Sequence, residues 1–349
     1  MDHSYGDYNQ LVKKRIQLLP IGGRMKDLPQ ELWHKSYLRV GEKKTGGPNL
    51  RLLRLDPEKP SNTITAYVFN KFVHPTEDRY ITPREAARIQ CFPDEFKFAG
   101  TLGQIQLQIG NAVPVKLAEA VAKHMSEYLK SQTKKNTFNS VSLFAGAGGM
   151  DLGFHKYFNI VSINEYIPVF CETLRKNFKD SNVVEASILD LKGKDLSGTK
   201  EIDFIFGGPP CQAFSAAGKQ RGIEDPRGVM IHEYVRMVEE LKPEAFVLEN
   251  VPGLKAINKG KTLQYTLDLI DKAGYKAEWY ILNAAEYGAP QARRRLFILG
   301  RKKKYRKPIG MPPITNSAKP DLFGLEPYVG VGEALKGLPK AVQRQKISI

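Results

Sequence analysis

The pattern of apolar and polar positions changes near residue 139. Beyond it, short apolar runs that stop at glycine or at a charged residue alternate with longer stretches of helical periodicity. The apolar runs are NSVSLFAGAGG, NIVSINEY, EIDFIFGG and EAFVLENV, and the helical stretches are IPVFCETLRKNF, RGVMIHEYVRMVEEL and GKTLQYTLDLIDKAG. Strands that alternate with helices predict an α/β fold built on a mostly parallel sheet.

The last two strand-like segments break this alternation. YKAEWYILNA and RRRLFILGRK are joined by the turn-rich sequence EYGAPQA, with no helix between them. A parallel pair needs a long crossover connection, whereas an antiparallel pair needs only a turn. We therefore expect an antiparallel hairpin at one edge of the sheet.

The chain before residue 139 has a different pattern. Residues 1–65 are rich in turn formers, proline and basic residues, and two helical stretches follow, TPREAARIQCF and VPVKLAEAVAKHMSEYLKSQ. Thr82 is a suitable N-cap for the first stretch, with Pro83 at the first helical position and Glu85 three residues after the cap. The polar and basic segment 130–139 has the composition of a linker.

Composition narrows the class of protein. Of the 349 residues, 42% are hydrophobic, which is enough for a core. No apolar run approaches the roughly 18 residues that suggest a membrane span. The N-terminus has no apolar signal core, and the three cysteines are far apart, which favours neither a zinc site nor a disulfide framework. We expect a cytoplasmic protein with no membrane partner.

The net charge of +16 indicates a polyanionic partner, of which nucleic acid is the commonest. Basic residues are concentrated in RRRLFILGRKKKYRK, from Arg293 to Lys307, where they surround a short apolar strand. A solvated face more often mixes charges of both signs. A merely basic protein is the alternative, because net charge does not identify a ligand.

A glycine-rich segment follows the first predicted strand. Residues 144–149 read FAGAGG and join that strand to a helix, so the backbone there can closely approach a ligand. Asp151 stands where a dinucleotide fingerprint has its third glycine, and the GK[ST] of a phosphate loop is absent. Glu165 ends the next strand, where a carboxylate suits both hydroxyls of a ribose. These features predict a nucleoside-type site, with a simple turn and a solvated glutamate as the alternative.

Cys211 follows the predicted strand EIDFIFGG within the sequence GGPPCQAFS (207–215). That strand ends at the carboxyl edge of the sheet, where open α/β folds bind ligands, and Pro209 and Pro210 restrict the backbone. A nucleophile needs such a fixed position together with stabilisation of its thiolate. Cys91 and Cys171, in contrast, fit the pattern of buried structural cysteines.

Charged residues also mark the ends of two later strands. Glu249 follows an apolar strand at the same sheet edge, so we expect its pKa to be raised and consider it a candidate proton donor. Arg293 and Arg295 alternate at the start of the last strand and are expected to face the same side. Two guanidinium groups on one side suit a carboxylate or an anionic intermediate. An ordinary strand-end charge is the alternative for each residue.

Together these segments resemble the DNA (cytosine-5) methyltransferase family. The resemblance rests on FAGAGG, the strand-end Glu165, GGPPCQAFS, ENV and QARRR, in that order and spacing. GNAVPVKLAEAVAKHM resembles the last motif of the family, and RLLRLDPEKPSNTIT with HPTEDRYITPREAARIQCFPDEFKF resembles the segment before it. The resemblance covers nearly the whole chain. It implies a Rossmann-like, S-adenosyl-L-methionine-dependent sheet and methyl transfer to C5 of a cytosine in a specific duplex DNA sequence.

The resemblance also implies roles for the catalytic residues. The Cys211 thiolate adds to C6 of a flipped-out cytosine and thereby activates C5. Glu249 holds N3 and N4 of the ring and protonates N3, while Arg293 and Arg295 bind the O2 side. Contacts with DNA are assigned to Gln212, Ser215 and Asn250.

Cofactor contacts follow from the resemblance in the same way. Phe144 stacks near the adenine and Glu165 holds the ribose. Asn111 and Val113 line the methionine end. Further contacts are assigned to Gly146, Gly148, Gly149, Tyr166, Ser187, Ile188 and Pro210.

The order of the motifs departs from the family pattern. The family normally begins with the FxGxGG segment and ends with the GNxV helix, whereas here the GNAVP helix comes first. This implies a circular permutation, in which a linker joins two termini of the same domain. The domains that follow are a reduced or split target-recognition region (1–50), a permuted segment completing the catalytic domain (51–129), a linker (130–139), the cofactor-binding and catalytic core (140–310) and the start of a variable region (311–349).

Several alternatives stay open at this point. Either the N-terminal segment supplies a reduced recognition region, which we prefer, or a second polypeptide completes it. The adenine amino group is met by Ser187, by Asp190 in a shifted register, or by backbone alone. By analogy the chain is the modification half of a restriction-modification system, with a cognate endonuclease as partner and association with the nucleoid through DNA. An RNA cytosine-5 methyltransferase and a catalytically idle DNA-binding relative are the alternative functions.

Overall fold

The fold is built around one mixed β-sheet in a computed structural model that describes residues 3–34, 52–66, 71–210, 229–320 and 324–343. The helices of these residues are α1 Gln10–Leu18, α2 Pro83–Ile89, α3 Leu102–Asn111, α4 Val115–Gln132, α5 Gly149–Phe154, α6 Pro168–Asn177, α7 Gly193–Ser197, α8 Val229–Leu241, α9 Lys261–Lys272 and α10 Val331–Leu335. The strands are β1 Ser4–Tyr5, β2 Leu53–Arg54, β3 Ser61–Asn62, β4 Phe72–Val73, β5 Asn139–Leu143, β6 Asn159–Glu165, β7 Asn182–Glu185, β8 Phe204–Gly207, β9 Ala245–Asn250, β10 Tyr275–Asn283, β11 Gln291–Ala292, β12 Arg294–Lys302, β13 Asn316–Ser317, β14 Glu326–Pro327 and β15 Val342–Gln343. Within these ranges, no helix combines the length and the apolar character that crossing a membrane requires.

The largest sheet among the described residues has seven strands in the order β10-β12-β9-β8-β5-β6-β7. Neighbouring strands are parallel except at β12, which runs antiparallel to both β10 and β9. The predicted parallel sheet with an antiparallel hairpin at one edge is therefore confirmed. Strand β7, at the opposite edge, has no counterpart among the predicted strands, because its sequence NVVE is short and has no fully buried position.

The central strands are apolar on both faces, as expected for strands covered by helices on both sides. Phe204 and Phe206 of β8 face one side and stack with Phe158 and Phe154, with ring centroids 4.3 Å and 4.2 Å apart. Ile205 between them belongs to the buried cluster on the other face. The central positions of these strands are therefore filled by buried apolar side chains, and polar side chains that could act on a ligand lie at the strand ends.

Helix α4 packs against α5 although the two come from opposite sides of the predicted linker. A Cβ on Gly153 of α5 would lie 2.5 Å from the Glu119 backbone nitrogen of α4, so this close approach requires glycine. A Cβ on Gly149 would likewise lie 2.6 Å from the Val113 carbonyl oxygen. The GNAVP segment and the glycine-rich turn are therefore neighbours in space. Helix α4 continues through Gln132, three residues into the segment with linker composition.

The N-terminal residues form a smaller apolar cluster of their own. Arg54, which is 5% exposed, ties its parts together by donating to the carbonyl oxygens of Ile16, Leu19 and His74. Strand β1 pairs in parallel with β15, so the first and last described segments meet. The cluster comprises Ile16, Leu19, Met25, Leu28, Leu32, Leu52, Val73 and Tyr80.

The predicted cap of α2 is confirmed. The Glu85 backbone N–H donates to the Thr82 hydroxyl at 3.3 Å, and the Thr82 N–H donates to the Glu85 carboxylate at 2.7 Å. Arg79, itself buried, pairs with the same carboxylate at 2.7 Å. The start of α2 is thus fixed by a buried ion pair in addition to the capping box, and the sequence pattern predicts only the second of these.

Candidate active site

A cavity of about 790 Å³ opens at the carboxyl ends of β5, β6, β7, β8 and β9. This is the sheet edge at which the sequence predicts ligand binding, and cavities of this size suit nucleoside-like ligands. Gly148 and Arg293 lie outside its lining, and Cys211, Gln212 and Ser215 lie outside the described residues. The predicted site residues in the lining are Asn111, Val113, Phe144, Gly146, Gly149, Glu165, Tyr166, Ser187, Ile188, Pro210, Glu249, Asn250 and Arg295.

The glycine-rich turn after β5 uses left-handed backbone conformations. Phe144, Gly146 and Gly148 have φ angles of 55°, 59° and 85°. A Cβ on Gly148 would lie 2.6 Å from the Phe178 ring, whereas a Cβ on Gly146 would meet nothing within 4 Å. Gly148 is therefore required for packing at the start of α5. Gly146, in contrast, keeps the cavity wall open beside Phe144.

Glu165 is buried at the end of β6, and its carboxylate is largely engaged by backbone. Oε1 accepts hydrogen bonds from the N–H groups of Tyr166 and Ile167, both at 2.9 Å, and Oε2 accepts one from Gly146 at 2.8 Å. Burial raises the pKa of the carboxyl group, and these three hydrogen bonds lower it. A carboxylate offers about four acceptor positions, so these three hydrogen bonds leave roughly one of them open towards the cavity. The solvated glutamate that was the alternative is not what the structure contains.

The end of β7 supplies a second polar edge of the cavity. Ser187 caps the short helical turn Ile188–Asp190, and its hydroxyl accepts from the Leu189 N–H at 3.3 Å. Ser187, Ile188 and Leu189 line the cavity, whereas Asp190 is exposed and does not. Of the two side chains considered for the adenine amino group, Ser187 is therefore the one in the cavity lining.

Glu249 and Arg295 form an ion pair inside the cavity. The Arg295 Nε lies 2.9 Å from the Glu249 Oε1, and the two side chains are 14% and 12% exposed. Strand pairing brings them together, because Phe297 of β12 stands opposite Glu249 of β9. Burial raises the pKa of the Glu249 carboxyl group, as predicted, while Arg295 and Arg293 lower it. The result is a carboxyl group with a raised pKa, held in place by a guanidinium group.

Arg293 does not share this position, contrary to the expectation that both arginines face one side. It is 1% exposed and donates to the carbonyl oxygens of Ile64 and Gly110, the latter at 2.7 Å. Strand β11 ends at Ala292 and β12 begins at Arg294, so strand alternation does not extend through this residue. The sequence pattern contains no sign of that interruption. Arg293 instead connects the last strand of the core to the segment that precedes α4.

A buried amide network reinforces the same connection. The Gln291 Nε2 donates to the Gln90 Oε1 at 2.9 Å, and the Gln291 Oε1 accepts from the Ile64 N–H at 2.8 Å. The Gln90 Nε2 donates in turn to the Ile109 carbonyl oxygen at 2.7 Å. QARRR therefore fixes the backbone that leads to Asn111, which also lines the cavity.

The segment before Cys211 is held against Glu249. A Cβ on Gly208 would lie 2.7 Å from the Glu249 Oε2, so glycine permits the contact. The Asn250 Nδ2 donates to the Pro209 carbonyl oxygen at 3.1 Å. Cys171 fits the predicted structural role, since it is fully buried and burial raises the pKa of its thiol to about 12.

Asp151 is a cavity residue that the sequence interpretation does not identify. It lies on α5, is 0% exposed, and neither carboxylate oxygen has a hydrogen-bond partner among the described residues. Burial raises the pKa of this carboxyl group to about 7. In the sequence, Asp151 serves only to break the dinucleotide pattern. A carboxylate inside the apolar stretch FAGAGGMDLGF is the signal that would have singled it out.

The basic stretch 293–307 is partly compensated by acidic residues from elsewhere in the chain. Lys302 and Lys304 pair with Glu244 at 2.8 Å and 2.7 Å, and Lys303 pairs with Asp271 at 3.1 Å. These lysines were the local argument for a nucleic-acid surface. The ion pairs weaken that interpretation of the stretch, although the net charge of the chain is unchanged.

The chain matches the family model described as C-5 cytosine-specific DNA methylase over residues 3–127 and 138–342. The type II methyltransferase M.AquIA of Picosynechococcus sp. is 42% identical over 220 residues, which cover 58% of this chain and 89% of that protein. M.XorII of Xanthomonas oryzae pv. oryzae is 38% identical over 192 residues, covering 53% and 45%. M.NgoFVII of Neisseria gonorrhoeae is 35% identical over 228 residues, covering 65% and 59%. The chain thus spans most of the first relative and about half of the other two.

Proposed function

This chain belongs to the C-5 cytosine-specific DNA methylase family, and we propose that it transfers a methyl group from S-adenosyl-L-methionine to C5 of a cytosine in duplex DNA. The observation that carries the proposal is the Glu249–Arg295 ion pair, which faces the Gly208–Pro210 segment that leads into Cys211. An acid with a raised pKa, held against the segment that precedes a nucleophile candidate in the sequence, suits addition to an aromatic ring.

The described residues fit the cofactor. The cavity of about 790 Å³ is lined by Ser187, Glu165 and Glu249, and its lining includes Asp151, a buried carboxylate without a hydrogen-bond partner among the described residues. Phe144 and Ile188 offer apolar surface for an adenine, and Glu165 offers an acceptor for a ribose hydroxyl. When bound, S-adenosyl-L-methionine supplies an electrophilic methyl group on its sulfonium.

The chemistry of the chain's own residues follows from the pair. C5 of cytosine is a poor nucleophile. Addition of the Cys211 thiolate to C6 makes C5 nucleophilic, like the β-carbon of an enamine. Glu249 donates its proton to N3 as the adduct forms, and Arg295 orients Glu249 and binds the O2 side of the ring. After methylation, the N3 proton returns to Glu249 and a base removes the C5 proton. The C5–H electron pair forms the C5–C6 double bond and expels Cys211 as a thiolate, which restores the aromatic ring. Because C6 is not accessible inside a duplex, the cytosine is flipped out.

The biological setting of the proposal is a restriction-modification system. The similar proteins named above are type II methyltransferases, which supports a modification enzyme with a cognate endonuclease and association with the nucleoid through DNA. We further propose that the N-terminal region supplies a reduced target-recognition surface. A second polypeptide that completes recognition is the other outcome of the experiment that follows.

The test uses the purified chain with tritiated S-adenosyl-L-methionine and mixed-sequence duplex DNA, and then DNA that contains 5-fluorocytosine. We expect methyl incorporation, and a covalent complex on the fluorinated DNA that Cys211→Ala abolishes, because fluorine prevents loss of the C5 substituent. Cys171→Ala is the matched control and is expected to retain the complex. Methyl transfer to tRNA but not to DNA would overturn the proposal that duplex DNA is the substrate. Cofactor binding without transfer to either would indicate that a second chain is needed.

A further inference from the structure

The strongest unexplained group in the described part of the chain is the carboxylate of Asp151. A buried carboxylate that lacks hydrogen-bond donors is costly, because burial removes its water without replacing it. Such a group persists when something outside the folded chain pairs with it. Asp151 lies in the wall of the cavity, so the missing partner belongs to whatever the cavity binds.

The surroundings of Asp151 offer no compensating charge. On β5, the Ser142 side chain lies close enough to lower the pKa of the Asp151 carboxyl group, but it does not reach hydrogen-bond geometry. At the end of β6, Glu165 carries a like charge and raises that pKa. The backbone of Asp151 itself also lowers the pKa of this carboxyl group. Helix α4 packs against α5 at Gly153, where Ala118 and the backbone of Glu119 approach, and the Glu119 carboxylate pairs with Lys156 at 2.9 Å. None of these groups brings a positive charge to the Asp151 carboxylate.

The other two carboxylates of the cavity lining are already engaged. Three backbone N–H groups bind Glu165, and Arg295 pairs with Glu249. A cation that enters the cavity therefore finds its unmet counter-charge at Asp151. The proposed cofactor carries two cationic groups, an α-ammonium and a sulfonium. The ammonium has three N–H donors for the two unpartnered oxygens, whereas the sulfonium has none.

We propose that Asp151 binds the α-ammonium group of the methionyl part of the cofactor and so selects for an amino-acid-bearing nucleoside. The proposal rests on the proposed function, since it takes S-adenosyl-L-methionine as the ligand. Its position is compatible with this, because Asp151 lines the same cavity as Val113, the residue to which the family resemblance assigns the methionine end. Asp151 is then a specificity-determining residue whose contact is made only when the cofactor is bound.

The experiment measures binding rather than turnover. S-adenosylhomocysteine and its deaminated analogue, in which hydrogen replaces the α-amino group, are titrated calorimetrically into the wild type and Asp151→Asn. We expect Asp151→Asn to weaken S-adenosylhomocysteine about 10- to 100-fold, as for a lost charge-assisted hydrogen bond, and to leave the deaminated analogue within about 2-fold. Equal losses for both ligands, or no loss for either, would overturn the proposal. Asp180→Asn, which removes an exposed carboxylate, is the matched control.

A structural role for Asp151 makes the opposite prediction for the protein without ligand. If Asp151 holds Ser142 in place, Asp151→Asn lowers Tm. If the Asp151 carboxylate is instead balanced only by a bound ligand, the ligand-free Asp151→Asn protein has a higher Tm than the wild type at pH values above 7, because an unbalanced buried charge has been removed. A lowered Tm together with unchanged ligand selectivity would refute the proposal.

The wild type provides a test that does not depend on a variant. Burial raises the pKa of Asp151 to about 7, so the carboxylate is lost on acidification. We expect the affinity for S-adenosylhomocysteine to fall up to 10-fold per pH unit below pH 7, and the affinity for the deaminated analogue to stay flat. Parallel profiles would refute the proposal. A wild type that binds neither ligand at any pH would instead refute the proposed function.

Discussion

Two buried carboxylates line one cavity, and the protein treats them differently. Glu249 has a guanidinium partner at 2.9 Å before any ligand arrives, whereas Asp151 has no partner among the described residues. Burial raises the pKa of both carboxyl groups, but charged arginines oppose the rise only at Glu249. The paired carboxylate is therefore oriented in advance for chemistry. The unpaired one is a binding determinant that makes the ligand-free protein less stable.

Removing Arg295, the partner of Glu249, is expected to have the largest effect, because it abolishes the difference between the two carboxylates. In Arg295→Met, Glu249 becomes an unpaired buried carboxylate like Asp151, and breaking such a pair costs about 3–5 kcal/mol. We expect methyl transfer to fall more than about 100-fold, because the acid is no longer oriented. The measurement is the single-turnover rate of methyl transfer to DNA at saturating cofactor.

The pH profile of this variant separates orientation from general destabilisation. Arg295 lowers the pKa of the Glu249 carboxyl group, so its removal raises that pKa further. A proton donor is active while protonated, and the rate therefore falls as pH rises through its pKa. We expect the descending limb of the residual activity to move to higher pH in Arg295→Met. The descending limb should stay in place in the control variant Arg294→Met, which removes the exposed neighbouring arginine. A limb that shifts in both variants, or in neither, would contradict the role given to the Glu249–Arg295 pair.

The pH dependence of the free energy of unfolding tests the unpaired carboxylate, Asp151. The folded-state pKa of Asp151 is about 7 and the ordinary value is 3.8, so the folded protein holds the proton more tightly. Stability from this group is present below the ordinary value and is lost as pH rises through about 7. The shift corresponds to about 4 kcal/mol at most.

We expect the Asp151→Asn protein to be more stable than the wild type at pH 8, by roughly 1–3 kcal/mol, or roughly 2–6 °C in Tm. The difference should shrink as pH falls to 5, where the wild-type carboxyl group is protonated. Differential scanning calorimetry at pH 5 and 8, without cofactor, makes the measurement. A gap that is the same at both values would mean that Asp151 does not titrate in this range.

The contrast between the two carboxylates also shows what sequence can and cannot predict here. Periodicity predicts the sheet, the edge hairpin and the position of Glu249, because strand ends and apolar runs are local features. It does not predict that Arg293 turns away from the cavity, since this depends on a one-residue break between β11 and β12 and on the distant carbonyl oxygens of Ile64 and Gly110. Nor does it predict that Asp151 lacks a partner. A missing partner is a property of the whole fold and not of any segment.

Charge compensation by distant residues also underlies the smallest effect we expect. Lys303 and Lys304 belong to a strongly basic stretch, yet they pair with Asp271 and Glu244. If those pairs persist on DNA, the variant with Lys303→Ser and Lys304→Ser should bind duplex DNA within about 2-fold of the wild type, with little change in the salt dependence of binding. Glu244→Gln, which frees Lys302 and Lys304, should instead steepen the salt dependence. Fluorescence anisotropy between low and moderate salt measures both, and a slope that drops by about one for each lysine removed would mean that these lysines contact phosphates despite their acidic partners.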